Sequence, residues 1–125
     1  RVVVCNPRTS AKAQKLADEF KCASSVDISA LADVSVLICT LPPAAKYEAP
    51  AEIIAQKPVV FEACYLPPVT PLGIQAAKAK CKVVKGLDML IAQGIEQFEL
   101  WIGVSAWMCW IPSRRRQGKC TTKLI

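Results

Sequence analysis

The 125-residue sequence contains no histidine, no C-x-x-C pair and no G-x-G-x-x-G turn. Without imidazoles or clustered thiols, zinc loses both of its usual ligand sets, so no metal is expected. Cysteines do occur, at positions 5, 22, 39, 64, 81, 109 and 120, but an odd, dispersed set suits a reducing cytosol better than a disulfide framework. Cys5, Cys39 and Cys64 lie in apolar strand-like runs, where thiols act as small core hydrophobes. No apolar run approaches the roughly 18–20 residues that span a bilayer. The sequence opens on the strand-like RVVVC with no signal-peptide pattern. The expectation is a soluble, cytoplasmic chain with no membrane partner.

What is present is an apolar fraction of 53%, ample for one small core and incompatible with disorder. The formal charge of +6 is unevenly placed. Before Val104, ten acids face eleven lysines and arginines; the remaining Arg114, Arg115, Arg116, Lys119 and Lys123 have no acid among them. The basic character therefore belongs to residues 104–125 and says little about a ligand of the preceding domain.

Taken in order, Arg1–Cys5 reads as a strand, Ala11–Phe20 as a helix with Ala13, Leu16, Ala17 and Phe20 on one face, and Cys22–Ser24 as a brief strand. Ile28–Ala32 suggests a helical turn. VSVLICT, 34–40, has the continuous apolar character of a strand buried on both faces. A short helix is expected over Ala51–Ala55 and a strand over Pro58–Cys64. Thr70 caps a helix that has Pro71 at its first position and runs to about Lys80. A final strand, Lys82–Lys85, leads through Gly86 into a long helix. Its apolar residues Leu87, Leu90, Ile91, Ile95, Phe98, Trp101 and Ile102 recur as a buried stripe should. Met89, Gln93 and Gln97 form a second line at four-residue spacing. That line fits either a site or a solvated face.

Strands alternating with helices at this spacing imply βαβ units and a Rossmann-like, doubly wound parallel sheet. Ligands of such sheets bind beyond the carboxyl ends of the strands. Those ends are Asn6–Ser10, Thr40–Pro43, Tyr65 and Gly86, so the polar and aromatic residues of interest converge on one edge.

The run GLDMLIAQGIEQFELWIG, 86–103, resembles the closing helix of the shikimate dehydrogenase family, approximately G-x-E-M-L-x-x-Q-x-x-x-x-F-x-x-W-T-G. Its variant G-I-E-Q-F-E-L-W is most similar to the shikimate dehydrogenase domain that ends the fungal pentafunctional arom polypeptide. Upstream, VVFEACYLPPVTPLGIQAAKAKCKVVKG resembles the family's strand, D-x-x-Y-x-P-x-x-T-P-L-L, helix and strand. The resemblance implies that residues 1–103 are a partial NADP-binding domain, entered at its second strand. It would lack the first strand, the glycine-rich loop and the first helix. In the order 3-2-1-4-5-6 that first strand is central, so its absence is expected to separate the sheet into halves.

The resemblance assigns roles residue by residue. Asn6, Arg8 and Thr9 resemble the family's N-R-T motif for the adenosine phosphate of NADP, with Pro7 inserted between the first two. Independently, this strand end offers an arginine and no carboxylate, which suits a 2′-phosphate rather than a free 2′-hydroxyl; an ordinary loop arginine reads the same way. Thr40 and Leu41 would lie near the nicotinamide ribose, although a proline stop after a strand needs no ligand. Gly86, Met89 and Leu90 match the segment lining the nicotinamide pocket. Tyr65 and Gln93 match the residues that touch shikimate. Glu62, Gly73, Asp88 and Ile102 depart from the family's aspartate, leucine, glutamate and threonine.

No proton-transfer pair is visible, and no catalytic residue is assigned. The family's lysine and aspartate belong to an N-terminal substrate domain outside these residues. By resemblance, the intact relative interconverts 3-dehydroshikimate and shikimate with NADPH, in aromatic amino-acid biosynthesis, and the fragment alone is expected to be inactive. Two rivals remain: a non-catalytic regulator like the fungal quinate-pathway repressors, and a non-functional remnant. Residues 104–125, with Trp107 and Trp110 ahead of Arg114–Arg116, read as a divergent, poorly ordered basic tail rather than a nucleic-acid contact.

Overall fold

β-Branched runs and turn residues divide the chain into short alternating elements. The computed structural model describes residues 1–6 and 8–106. In chain order these are β1 (Val3–Cys5), α1 (Ser10–Glu19), β2 (Ala23–Ser25), β3 (Val36–Cys39), a 3-10 turn (Pro43–Ala45), α2 (Ala51–Ala55), β4 (Val59–Glu62), α3 (Pro71–Lys78), β5 (Val83–Val84) and α4 (Gly86–Ile102). Two compact units result, Arg1–Asp88 and a second beginning at Met89.

Every strand pairing is parallel. β1 pairs with β2, and β3-β4-β5 forms a separate three-stranded sheet. A doubly wound order of 3-2-1-4-5-6 with its first strand removed leaves 3-2 and 4-5-6. The observed β2-β1 and β3-β4-β5 have that order, and the break falls at the expected place.

The core belongs to the three-stranded sheet. Leu37 and Cys39 of β3, Val60 of β4, Ile53 and Ile54 of α2, and Leu72 and Ala76 of α3 pack into one buried cluster with Ala49. Two glutamine side chains fasten connecting segments to it. Gln75 accepts from Ala49 N–H (2.9 Å) and donates to Ala49 C=O (2.7 Å). Gln56 accepts from Val34 N–H (2.7 Å) and donates to Leu31 C=O (2.9 Å). Each amide satisfies one backbone donor and one acceptor that the loops would otherwise leave open.

Four expectations are corrected. VSVLICT is not covered on both faces: Leu37 and Cys39 are buried, whereas Val36 and Ile38 are 54% and 62% exposed. Successive strand residues point to opposite faces, and the helices α2 and α3 pack only on the Leu37 side. On α1, Ala13 and Ala17 are buried, but Leu16 and Phe20 are exposed. Residues 28–32 contain a Leu31–Ile28 backbone bond but no helix. Finally, α4 forms as expected, yet Leu87, Ile91, Phe98, Trp101 and Ile102 of its apolar stripe are exposed, and Gly86 alone in the helix is buried. Periodicity reported the helix; burial depends on a covering surface that a sequence pattern does not supply.

Candidate functional site

Parallel pairing places the carboxyl ends of β3, β4 and β5 side by side, so Thr40, Tyr65 and Gly86 follow neighbouring strand tips. Gly86 is where two of these tips meet most closely. A Cβ built on it would lie 2.5 Å from the Cys64 carbonyl oxygen and 2.6 Å from that of Ala63. Both obstacles are backbone, so only a residue without a side chain lets α4 start against the end of β4. Asp88 then ties off the first turn, its Oδ2 accepting from Lys85 N–H at 3.2 Å. An aspartate serves this capping role as a glutamate could, which accounts for one departure from the family pattern.

The loop carrying Tyr65 is held from both ends by one carboxylate. Glu62, the last residue of β4, is buried; its Oε1 accepts from Cys64 N–H (3.3 Å) and its Oε2 from the Thr70 hydroxyl (3.0 Å). Thr70 Oγ1 in turn accepts from Gly73 N–H at 3.1 Å, capping α3 as expected. Strand end, loop and helix start thus share one bonded chain, and a buried carboxylate is supplied with the donors it needs. Tyr65 itself is exposed, as are Thr40 and Leu41. The Glu62 role went unread because the sequence showed only an aspartate replaced by a longer acid. Its bond to the proline-backed Thr70 cap, eight residues on, requires the folded loop.

At the tip of β1, Asn6 Oδ1 accepts from Thr9 N–H (3.1 Å) and from the Thr9 hydroxyl (3.4 Å). Thr9 occupies the N-cap position of α1, but its side chain makes no cap bond, since it is turned to Asn6. Among the described residues, the first amides of the helix, at Ser10 and Ala11, have no acceptor, and a helix N-terminus favours an anion. Arg8 is exposed in this turn, and Lys12 is exposed in the first turn of α1. Lys12 was overlooked in the sequence; its signal is a second cation four residues after Arg8. Beside them a depression of about 330 Å³ is lined by Ser10, Ala11, Gln14, Ser24, Ser25 and Val26. The inserted Pro7 lies outside the described residues, as do Trp107, Trp110 and Arg114–Arg116 of the tail.

Asn6, Arg8, Thr9, Thr40, Leu41, Tyr65 and Gly86 all fall within the Arg1–Asp88 unit, at carboxyl ends of its strands. A larger depression of about 650 Å³, lined by residues 29–35 with Gln56 and Lys57, lies at the opposite, amino-terminal ends of β3 and β4. The predicted residues do not touch it. Met89, Leu90 and Gln93 belong to the other unit. There Met89 and Leu90 are half-buried, Gln93 is exposed, and Met89 and Gln93 share a helix face by their spacing.

Cys39, at the end of β3, and Tyr47, in the segment that follows, are held toward their neutral forms. Burial raises the Cys39 thiol above its ordinary value, and the neighbouring Glu62 charge acts in the same direction. Burial likewise raises Tyr47, helped by nearby Cys39 and Cys5. Among the described residues, no group of histidine, cysteine and acidic side chains could hold a metal, and no helix is long and apolar enough to cross a membrane.

Residues 86–106, starting at the glycine that meets the β4 tip, match the family described as "Shikimate 5'-dehydrogenase C-terminal domain". Over most of its length the chain is similar to shikimate dehydrogenases. It is 37% identical over 106 residues to the shikimate dehydrogenase (NADP(+)) of Maridesulfovibrio salexigens, an alignment covering 78% of this chain and 38% of that protein. Over 60 residues it is 40% identical to the corresponding protein of Archaeoglobus fulgidus, covering 48% of this chain and 22% of the relative. Among solved structures, shikimate dehydrogenase from Aquifex aeolicus superposes with a TM-score of 0.69 at 31% identity, over 90% of this chain and 41% of that one. The chain therefore spans well under half the length of the relatives it matches.

Proposed function

We propose that this chain is the NADP-binding portion of a shikimate dehydrogenase of the arom type. The observation that carries the reading is the β1 tip, where an Asn6-held turn places the exposed Arg8 just ahead of α1 and the exposed Lys12 in its first turn. Two cations beside a helix start, with no carboxylate in the turn, fit a 2′-phosphate and disfavour plain NAD. The names of the relatives support the same cofactor. NADPH would supply the hydride that reduces 3-dehydroshikimate to shikimate. This chain's residues would hold the phosphorylated ribose through Arg8 and Thr9, flank the nicotinamide end through Thr40, Leu41, Gly86, Met89 and Leu90, and offer Tyr65 and Gln93 to the substrate. The acid/base pair would come from a substrate domain beyond these residues. The arom assignment rests on G-I-E-Q-F-E-L-W, 94–101, and places the reaction in cytoplasmic aromatic amino-acid biosynthesis.

Titration of the 125-residue chain with adenosine 2′,5′-bisphosphate and with adenosine 5′-monophosphate tests the cofactor reading. The 2′-phosphate should raise affinity about tenfold or more, as one charge-assisted contact of roughly 1.5–3 kcal/mol implies, and Arg8→Ala should remove that preference. Equal affinity, or none for either nucleotide, overturns it. No shikimate-dependent reduction of NADP by the chain alone is expected, and measurable turnover would refute that part.

A further inference from the structure

The chain folds back on α4 where that helix ends. Gly103, at φ +71°, takes the left-handed conformation common after a helix, and its N–H bonds the Glu99 carbonyl at 2.9 Å. Glu99 Oε1 accepts from the Ser105 hydroxyl (2.9 Å) and from Ala106 N–H (2.8 Å). Had the helix continued, Ala106 would stand about 10 Å beyond Glu99 along the axis, out of reach of its side chain. The chain instead leaves Ala106 beside Glu99. What lies along the helix from there is apolar with an acidic border. Ile91, Ile95, Phe98 and Ile102 follow the i, i+4, i+7, i+11 pattern of one face. Ile95 is half-buried, and the other three are exposed, as is the adjacent Trp101. By helical spacing Glu99 borders this stripe next to Ile95, and Glu96 follows one step further round. From Met89 to Ile102 the helix carries these two glutamates and no lysine or arginine.

We infer that this stripe is the docking surface for residues 107–125 of the same chain. Three observations select that occupant. The turn at Gly103–Ala106 already delivers the chain to the acidic border of the stripe. The charges are complementary: residues 107–125 contain Arg114, Arg115, Arg116, Lys119 and Lys123 and no acid, facing a helix segment with acids and no base. A second copy of α4 would bring the same two glutamates, so charge disfavours it. The length suffices as well. Glu99 to Ile91 is about 12 Å of helix, which the 19 residues after Ala106 can retrace. Trp107, Trp110 and Ile111 supply apolar side chains to the stripe, and the arginines meet Glu96 and Glu99. Apolar contact then gives the affinity and charge gives the orientation. By helical spacing Met89 and Gln93 lie on the far side of α4 from the stripe, so docking leaves that line open. The inference does not depend on the NADP reading.

Hydroxyl-radical footprinting tests this on three proteins without nucleotide: the 125-residue chain, the chain ended at Ala106, and the full chain with Arg114→Glu, Arg115→Glu and Arg116→Glu together. Leu72, fully buried in the other unit, should stay unoxidised in all three and report that they are folded. Oxidation of Ile91, Phe98 and Trp101 should be about threefold or more slower in the full chain than in the shortened one, because a docked segment removes most of the surface a radical can reach. The triple substitution should return the three residues close to the shortened chain's rates. If the shortened chain does not fold, the triple variant against the full chain makes the same comparison. Equal oxidation in the full chain and in the folded partner it is compared with overturns the inference, and so does a triple variant that keeps all of the protection. Protection that appears only at concentrations where sedimentation shows self-association also overturns it, because another copy then covers the stripe.

Discussion

The two sheets of this chain are built from the same alternating elements and stabilised very differently. Around β3-β4-β5, eight buried residues from two strands, two helices and a loop form a continuous apolar cluster. Around β1-β2, the buried apolar contribution of α1 is two alanines, Ala13 and Ala17, supplemented by polar ties such as Gln14 between Ser24 (2.5 Å) and Asp18 (2.7 Å). Hydrophobic stabilisation scales with the apolar area buried, so packing contributes more to the first region than to the second. The half that would grip the nucleotide phosphate is the half with the smaller core. Its partner half sets the strand tips rigidly, through Gly86 and Glu62.

If that contrast is right, the largest effect should come from the packed half. Leu72→Ala removes a fully buried side chain from the α3–β4 contact and should cost about 2–5 kcal/mol in denaturant unfolding. A loss below 1 kcal/mol would mean that the cluster is not continuous in solution. Gly86→Ala comes next: a methyl group facing two backbone carbonyls cannot be accommodated by a side-chain rotation, and overpacking of this kind costs about 1–3 kcal/mol. Thermal unfolding measures the loss, and exchange at Ala63 and Cys64 should report it more strongly than exchange at Val4.

The smallest effect separates the halves by pH. Cys39 has a raised folded-state pKa, so its stabilising contribution is complete below the ordinary thiol value and is lost as pH rises through the folded value. Stability of the packed half should therefore fall alkaline of about pH 8.5, the usual thiol pKa. Cys39→Ala should flatten this decline while lowering stability at neutral pH. A decline unaffected by the substitution would assign the titration elsewhere, Tyr47 being the next group raised by burial.

Much of the fold was legible because local chemistry and tertiary context agree. Thr70-Pro71 announced the start of α3 to the residue, and Ala51–Ala55 was placed as it stands. Resemblance at residues 86–103 gave the family, and strand-end logic gave Arg8, Thr40, Tyr65 and Gly86 positions at carboxyl tips. Burial was less legible. Val36 and Phe20 look like core residues in any window, but neither has a covering element, and hydrophobicity carries no record of which surface is absent. The site's supports were hidden for a related reason. Glu62 and Thr70 are eight residues apart, and their bond exists because the intervening loop doubles back.

The sequence alone determined the alternation of strands and helices and the family resemblance, because each is written in short-range patterns of side-chain type. Tertiary structure alone decided which face of β3 is covered, that Gly86 abuts the β4 carbonyls, and that Glu62 is buried with its donors. Parallel strands pair across long stretches of chain, so neighbours are chosen by packing, and a pattern that names a strand does not name its partner.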